Sequence, residues 1–454
     1  MKQKPIHMPD MKARSPWSKY GKAEAVRVWS QGVSVNGDIT VPGSKSMTNR
    51  ALMIAAMAEG TSRLEGILKS DDSYWCIEAL RLLGVHLELE GETAVVHGCG
   101  GNWPVDGGDL YVGAAGTAAR FLPGALAAAN GMWRLSGSKR MHERPIAPLL
   151  DALTELGAEI QYEEEPGCLP LSLKGRGLNG GSVAIDGSVS SQYISGLLLA
   201  APYARDAVTL HVEGAVVQHD YVTLTTEMIR AFGGDIAVND EGQSFAVRPG
   251  AYKSRHLTLE PDISTCCYFW ALAALTNGRI RINRVSAATT RQPDMEMLRV
   301  LEQMGCAVEL GPTFVEVRGT PRLKGGLTVD MSRWSDQTLT LAALAPFADG
   351  PVTLTGAAHI RHHECNQISA ICQELRKLGI RVEEYPDGLT VHPGTPQPAL
   401  LDPHDDHRMA MALSLIGVKA AGIRIADPGC VSKTCPDYFD RLSALGLSVE
   451  FAGV

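Results

Sequence analysis

A phrase of helix, glycine and strand recurs six times along this 454-residue chain. It reads LRLLGVHLEL, LTELGAEIQY, IRAFGGDIAV, LEQMGCAVEL, LRKLGIRVEE and LSALGLSVEF, with its glycines at Gly84, Gly157, Gly233, Gly305, Gly379 and Gly446. The intervals are 73, 76, 72, 74 and 67 residues. Each glycine follows an apolar stripe of helical period and stands where a helix C-terminus calls for positive φ. The strand after it alternates apolar and polar residues. In most copies a turn and a second strand follow, as in VHLELEGETAVVHG and IRVEEYPDGLTVHP. The chain is therefore expected to be six copies of an αβ unit of about 70 residues, larger than a solenoid repeat. Six such units suit two domains of three.

Composition narrows the function. Lys and Arg number 42 against 50 Asp and Glu, a net charge of −8. A nucleic-acid binder normally carries a basic face, so none is expected here. An anionic small molecule stays compatible, because a few cations can be focused in one cleft. The longest apolar runs, Thr265–Thr276 and Ala51–Ala58, fall short of the roughly 18 residues a membrane span needs. The N-terminal stretch is polar, mixed in charge and without an apolar h-region, so it reads as a loose extension to about Glu24 rather than a secretory signal. Ten cysteines without a CxxC pair point to buried structural thiols in a reducing cytoplasm.

Four glycine- or serine-rich turns lead into helices. The first, Val41–Ser46, opens a helix expected from about Ser46 to Gly60, with Lys45 and Arg50 able to reach one anion at its free N–H groups. The GxxxxGK[ST] pattern of a P-loop is absent. The second is Gly113–Arg120 and the third Asp186–Tyr193, where Ser190, Ser191 and Gln192 offer neutral donors. The fourth is Lys433–Pro436, with Pro436 suited to a first helical position. Lys45, Arg50, Arg144, Arg408 and Lys433 beside such turns look like a distributed polyanion site in an acidic protein. Singly, each could be a surface cation or cap. Asp336 precedes an apolar helix and could serve as its N-cap. Glu364 lies among His359, His362 and His363, which raises a metal site, with His404 and His407 elsewhere; HExxH spacing is absent, and no metal is expected. GxSxG is also absent.

Together these segments resemble the enolpyruvyl transferase family, in particular its branch acting on shikimate 3-phosphate. PGSKSMTNRAL (42–52), GAAGTAAR (113–120), RMHERPI (140–146), DGSVSSQY (186–193), DHRMAM (406–411) and DPGCVSKTCPDYF (427–439) carry the resemblance, which covers the chain after its first 25–35 residues. It implies an α/β fold of two domains, each of three βαβαββ-like units in an inside-out α/β barrel, closing over the active site. The site motifs split near Pro42–Lys45 and Glu260–Asp262, so one domain is expected to hold 45–261 and the other 1–44 with 262–454. The implied reaction transfers enolpyruvyl from phosphoenolpyruvate to the 5-hydroxyl of shikimate 3-phosphate, releasing phosphate through a tetrahedral intermediate, with no cofactor. The implied catalytic residues are Lys45, Asp336 and Glu364. Shikimate 3-phosphate would meet Lys45, Ser46, Arg50, Ser190, Ser191, Gln192, Tyr221, Asp336 and His363. Phosphoenolpyruvate would meet Lys45, Gly116, Arg144, Gln192, Arg408 and Lys433.

Several positions depart from the family's pattern. Gln367 stands where an Arg would grip phosphoenolpyruvate, Gln218 where a phosphate-binding Ser often stands, and His359 in place of an Asn. Ala114 and Phe121 replace an Asn and a Pro. Gln367 is expected to weaken phosphoenolpyruvate binding and to confer partial glyphosate tolerance, with His359 and His363 compensating if protonated below about pH 6.5. A related transferase with another acceptor alcohol, a non-catalytic relative and a metal-dependent hydrolase are the competing readings. A cytoplasmic monomer is expected.

Overall fold

The first repeat shows how the phrase folds. Ser70 caps the helix Asp71–Leu82, its hydroxyl accepting from Ser73 N while Ser73 Oγ accepts from Ser70 N. Asp71 and Asp72 sit in the first turn and Arg81 in the last, matching the helix dipole. Leu83 ends the helix and Gly84 turns the chain at φ 86° into the strand His86–Glu90. The other five repeat glycines have φ between 76° and 105°.

The computed structural model describes residues 12–30 and 32–453. Its thirteen helices are α1 Lys45–Met57, α2 Asp71–Leu82, α3 Gly116–Ala127, α4 Lys139–Glu143, α5 Ala147–Glu155, α6 Ser191–Ala200, α7 His219–Ala231, α8 Ile263–Thr276, α9 Glu296–Gln303, α10 Thr338–Leu344, α11 Gln367–Lys377, α12 His407–Lys419 and α13 Tyr438–Ala444. The strands form six sheets of four. In each, one parallel pair joins an antiparallel pair. The strand Gly107–Tyr111 runs parallel to Asn130–Ser136, which pairs with Leu171–Arg176, which pairs with Glu159–Tyr162. With α3 and α5 this is a βαβαββ unit.

Two kinds of helix alternate. The first helix of each unit (α1, α3, α6, α8, α10, α12) is buried nearly all round: every residue from Met47 to Met57 and from Gly116 to Ala127 is buried. The second lies outside and buries one stripe, as α5 does with Leu149, Leu150, Ala152 and Leu153. The repeat glycines terminate these outer helices.

Three units are completed by distant chain. The strand His256–Thr258 pairs parallel with Thr61–Glu65, and Asn36–Ile39 with Arg279–Asn283. The sixth phrase has no second strand after it; Ala25–Trp29 fills that place, antiparallel to both Ser448–Ala452 and Ile423–Ala426. The buried apolar residues form two clusters, one from Met47 to Leu259 and one joining Tyr20–Val41 to Ile263–Leu447. The two passages between them run side by side: Ser44 N donates to Glu260 O and Asp262 N to Pro42 O, both at 2.8 Å. Gly43 bridges to Pro261 there, and its bare backbone passes against Gly66, whose O would lie 1.8 Å from a Cβ.

Some local expectations need correction. α1 ends at Met57 rather than Gly60, because Ala58 turns extended toward the next strand. Pro436 is not the first helical residue: Asp437, with φ −106° and ψ 20°, takes the cap and α13 begins at Tyr438. The N-terminal stretch is not loose where it is described. Ala13 and Ser15 are buried, and Tyr20 stacks on Phe451 at 5.0 Å; residues 1–11 lie outside the described residues. All ten cysteines are free, with Cys99 and Cys365 partly exposed and the rest buried. Among the described residues no helix is long and apolar enough to cross a membrane.

Two glycines separate backbone strain from packing. Gly446 has φ 86° and open space where a Cβ would be, so Gly446→Ala should cost about 1–2 kcal/mol through conformation alone. Gly196 faces α3, and a Cβ there would stand 2.2 Å from Arg120 O. Gly196→Ala must push two buried helices apart and should lose more stability than Gly446→Ala in chemical denaturation. Equal losses would show that the α3–α6 contact is slack.

Candidate active site

The N-termini of the inner helices meet at one cleft of about 750 Å³, open solvent included. α1 begins beside α8, where Lys45 N donates to Asp262 Oδ2 at 2.9 Å. Ser44 caps α1, so Lys45 and Ser46 occupy its first turn and Arg50 the next. α6 starts from Ser190, whose hydroxyl accepts from Gln192 N at 3.2 Å. Gly116 opens α3 against Arg144, which would lie 3.2 Å from a Cβ on that glycine.

The guanidinium groups on this wall have neutral partners. Arg50 is 1% exposed and donates to Thr225 Oγ1 at 2.7 Å, Ser46 O at 3.0 Å, and Ser195 Oγ and Tyr221 O at 3.2 Å. Its face lies over Phe121 and near the Tyr221 ring. Burial pulls its pKa down to about 10. Arg120, also buried, bonds to Gly116 O, Met141 Sδ and Pro145 O, with its Nε unpartnered. Burial, with Arg144 beside it, lowers it to about 10 as well. Arg144 reaches Glu364 only at 4.0 Å. Buried charge with neutral partners is unfavourable until an anion arrives.

The acids stand on the facing wall. Asp336 lies in the turn Ser335–Gln337 ahead of α10. It is no N-cap: its Oδ2 accepts from Arg408 Nη2 at 2.5 Å and its Oδ1 from Gln218 Nε2 at 3.2 Å. Burial would raise its acid, but Arg408, His363 and Lys45 together outweigh this and hold it below the ordinary carboxylate range. Glu364 accepts from Lys433 Nζ at 2.7 Å. Burial opposes its charge too, yet Lys433 and then Arg144 hold it well below the ordinary range. Both carboxylates are ionised at neutral pH.

The cleft brings together Lys45, Ser46, Arg50, Arg144, Ser190, Ser191, Gln192, Tyr221, Asp336, His363, Glu364 and Arg408. Gly116 lies beside Arg144, and Lys433 lines an adjoining cavity of about 420 Å³ that shares Arg144 and Glu364. Two residues go beyond the sequence-derived set. Arg120 lines the cleft. Arg140 fastens the acid-bearing segment from the opposite wall, donating to Glu364 O and His363 O at 3.0 Å. Both stand inside motifs quoted above, GAAGTAAR and RMHERPI, which was the signal available for them.

The departures sit differently from expectation. Gln367 is 1% exposed and donates to Asp406 Oδ2 at 2.6 Å, lining neither cavity. It supports the turn into α12 and does not face a ligand. His359 Nε2 shares a hydrogen with Ser335 Oγ at 2.7 Å behind Asp336. Gln218 is the residue that reaches across to Asp336. Burial lowers His359 to about 4 and His363 to about 3, so in the ligand-free cleft neither is a cation between pH 5 and 7. The histidines do not converge as a metal shell: His404 bonds to Glu374 at 2.9 Å. Among the described residues the close ligand set is His86, Glu88 and His97, exposed on another sheet.

The family model described as EPSP synthase (3-phosphoshikimate 1-carboxyvinyltransferase) matches residues 30–442. The chain is 53% identical over 445 residues to the 3-phosphoshikimate 1-carboxyvinyltransferase 2 of Halalkalibacterium halodurans, spanning 97% of this chain and 99% of that one. It is 43% identical over 410 residues to the 3-phosphoshikimate 1-carboxyvinyltransferase of Trichormus variabilis, spanning 90% and 96%. The solved EPSP synthase of Acinetobacter baumannii matches with a TM-score of 0.79 and 26% identity, over 94% of this chain and 100% of that one.

The two buried histidines make a pH prediction. Both are held below their usual value of 6.5, so the folded state resists protons that the unfolded chain accepts. Their contribution is complete above pH 6.5 and is lost as pH falls toward 4. From pH 7.5 to 5 the ligand-free protein should lose up to roughly 2 kcal/mol more per histidine than a His359→Gln/His363→Gln variant. Denaturation at the two pH values measures this; parallel losses would mean the rings are not held neutral.

Proposed function

The chain belongs to the EPSP synthase family, and from that premise we propose how its cleft divides the work. It is a transferase, moving enolpyruvyl from phosphoenolpyruvate to the 5-hydroxyl of shikimate 3-phosphate and releasing phosphate. Residues 45–261 act as one domain and 1–44 with 262–454 as the other, closing over the substrates. The two apolar clusters and the paired passages at Ser44 and Glu260 support this division. The protein acts as a cytoplasmic monomer, in keeping with its free thiols and with exposed apolar side chains as scattered as Val33, Met132 and Leu310.

Shikimate 3-phosphate lies against the α1 and α6 starts. Arg50 takes its carboxylate, Ser190 and Ser191 its phosphate with help from Ser46 and His363, and Tyr221 flanks its ring. Phosphoenolpyruvate places its phosphate among Lys45, Gly116, Arg144 and Gln192, with Arg120 behind, and its carboxylate on Arg408 and Lys433. Two anions are then held side by side because each has its own cations.

The addition moves one proton away from oxygen and another onto carbon. Asp336, ionised, accepts the 5-hydroxyl proton as that oxygen bonds to C2 of phosphoenolpyruvate. The methylene carbon gains a proton and becomes a methyl group, giving the tetrahedral intermediate. Elimination removes a methyl proton, expels phosphate and leaves the enol ether. Glu364 is the acid and then the base at the methyl carbon, with Lys45 beside both substrates.

Glu364 must be protonated to act first as an acid, although it is ionised in the empty cleft. Lys433 and Arg144 hold it so. Phosphoenolpyruvate takes up those same cations and adds its own negative charge, which raises the proton affinity of Glu364. Binding of phosphoenolpyruvate and arming of the acid are thereby one event.

The observation carrying this reading is the pairing of two ionised carboxylates with facing guanidinium groups that have neutral partners. Asp336→Ala and Glu364→Ala should each reduce turnover by at least about 100-fold. Phosphate release should require both substrates. Near-full activity in Glu364→Ala would remove that residue from the chemistry. A second experiment reads the arming: phosphoenolpyruvate binding should take up protons, seen by calorimetry in buffers of different ionisation enthalpy. Glu364→Gln should abolish the uptake. Identical heats across buffers for the wild type would refute the coupling.

A further inference from the structure

Residues 12–20 form a strap that touches both apolar clusters, and it lies ahead of residue 30, where the family match begins. On one side Trp75 Nε1 donates to Ala13 O and Ser15 N to Asp71 Oδ1, each at 2.9 Å, both partners being on α2. On the other side Arg14 Nη2 sits between Asp405 Oδ1 at 2.7 Å and Asp427 Oδ2 at 2.8 Å.

These two aspartates start the turns that carry the phosphoenolpyruvate cations. Asp405 is three residues ahead of Arg408 at the start of α12. Asp427 directly precedes the 3-10 turn Pro428–Lys433, whose last residue is Lys433. One guanidinium therefore fixes the spacing of both turns. The next strap residue extends the tie: the carboxylate of Asp71 that holds Ser15 N also accepts from Ser432 Oγ, beside Lys433.

The backbone around Arg14 is held under strain. Ala13, His404, Asp405 and Asp427 have φ of 49°, 54°, 55° and 43°, a region that residues with a Cβ avoid. Such conformations persist where the surroundings over-determine them. Asp405 and Asp427 lie close enough to repel, and burial pushes Asp405 up to about 6 even with Arg14 beside it. Lys12 adds a second cation on Asp427 at 3.3 Å. The strap also lines the 420 Å³ cavity that Arg144, Glu364 and Lys433 share.

We propose that Arg14 is a positioning residue for the phosphoenolpyruvate end of the site. By joining Asp405 to Asp427 it sets where Arg408 and Lys433 stand, and through Ser15 and Asp71 the strap anchors both to the opposite wall. This rests on the reading that Arg408 and Lys433 hold phosphoenolpyruvate.

The test compares Arg14→Ala, Arg14→Lys and Lys433→Ala in the full chain. Arg14→Ala should raise KM for phosphoenolpyruvate about tenfold or more, keep kcat at saturating phosphoenolpyruvate within about threefold, and leave shikimate 3-phosphate affinity unchanged. Arg14→Lys should fall between, since an ammonium lacks the guanidinium fork. A purely structural strap would not split the two substrates in this way. If Lys433→Ala leaves KM for phosphoenolpyruvate unaltered, the assignment of that cation is wrong. If Lys433→Ala raises it and folded Arg14→Ala does not, the role of Arg14 is overturned. Should Arg14→Ala fail to fold, Asp427→Asn breaks the same tie from the other side and must give the same selective rise.

Discussion

Buried positive charge without a carboxylate partner is what the rest of this structure is arranged to tolerate. Arg50 and Arg120 are as deep as core leucines, yet their donors end on hydroxyls, carbonyls and a thioether. Removing such a group from water is costly. Close contacts among the inner helices surround these groups. α1 and α3 are tied through Asn49 and Thr117, and α3 meets α6 at Gly124 and Gly196, where a side chain on either would strike backbone. The helix starts add their own positive ends to the cleft. If the anions that relieve these groups are the substrates, as proposed, stability withheld from the empty state becomes affinity.

The opposite wall solves the complementary problem. Asp336 and Glu364 are buried acids kept charged by nearby cations, Arg408 foremost for the first and Lys433 with Arg144 for the second. If those cations also take the ligand, as proposed, the proton affinity of each acid depends on whether the ligand is present. An acid paired with a dedicated structural cation could not change role between two steps of one reaction. Contacts across the cleft then set the register of the walls: Arg140 on the carbonyls of His363 and Glu364, Gln218 on Asp336, and Arg333 on Asp220 at 2.9 Å.

The features legible in the sequence obeyed local rules. Positive φ at a helix end is a property of one residue, so Gly84, Gly157, Gly233, Gly305, Gly379 and Gly446 marked the units correctly. The serine-rich turns likewise announced helix starts, which Ser44 and Ser190 cap. What escaped depended on distant chain. Nothing near Ser448–Ala452 signals that Ala25–Trp29 will complete its sheet. Nothing in Lys12–Glu24 shows that its polar residues meet aspartates some 400 residues away. Arg120 and Arg140 were visible within motifs, but only the fold distinguishes a cation facing the cleft from one on the surface.

The same distinction bears on the departures from the family's pattern. A glutamine in place of an arginine removes charge wherever it stands, but its effect on a ligand depends on the layer it occupies. Gln367 has turned its amide onto Asp406, whose other oxygen caps α12 through Arg408 N at 2.8 Å. His359 has turned onto Ser335. Both act one layer behind the cleft, orienting the turns that carry Arg408 and Asp336. The lining of the cleft keeps Lys45, Arg50, Arg144, Asp336, Glu364 and Arg408, while Gln367 and His359 bond to residues behind it. A neutral amide suits this second layer: it bonds to Asp406, which burial and Glu364 already push toward its protonated form, without drawing a third cation away from the anions in front.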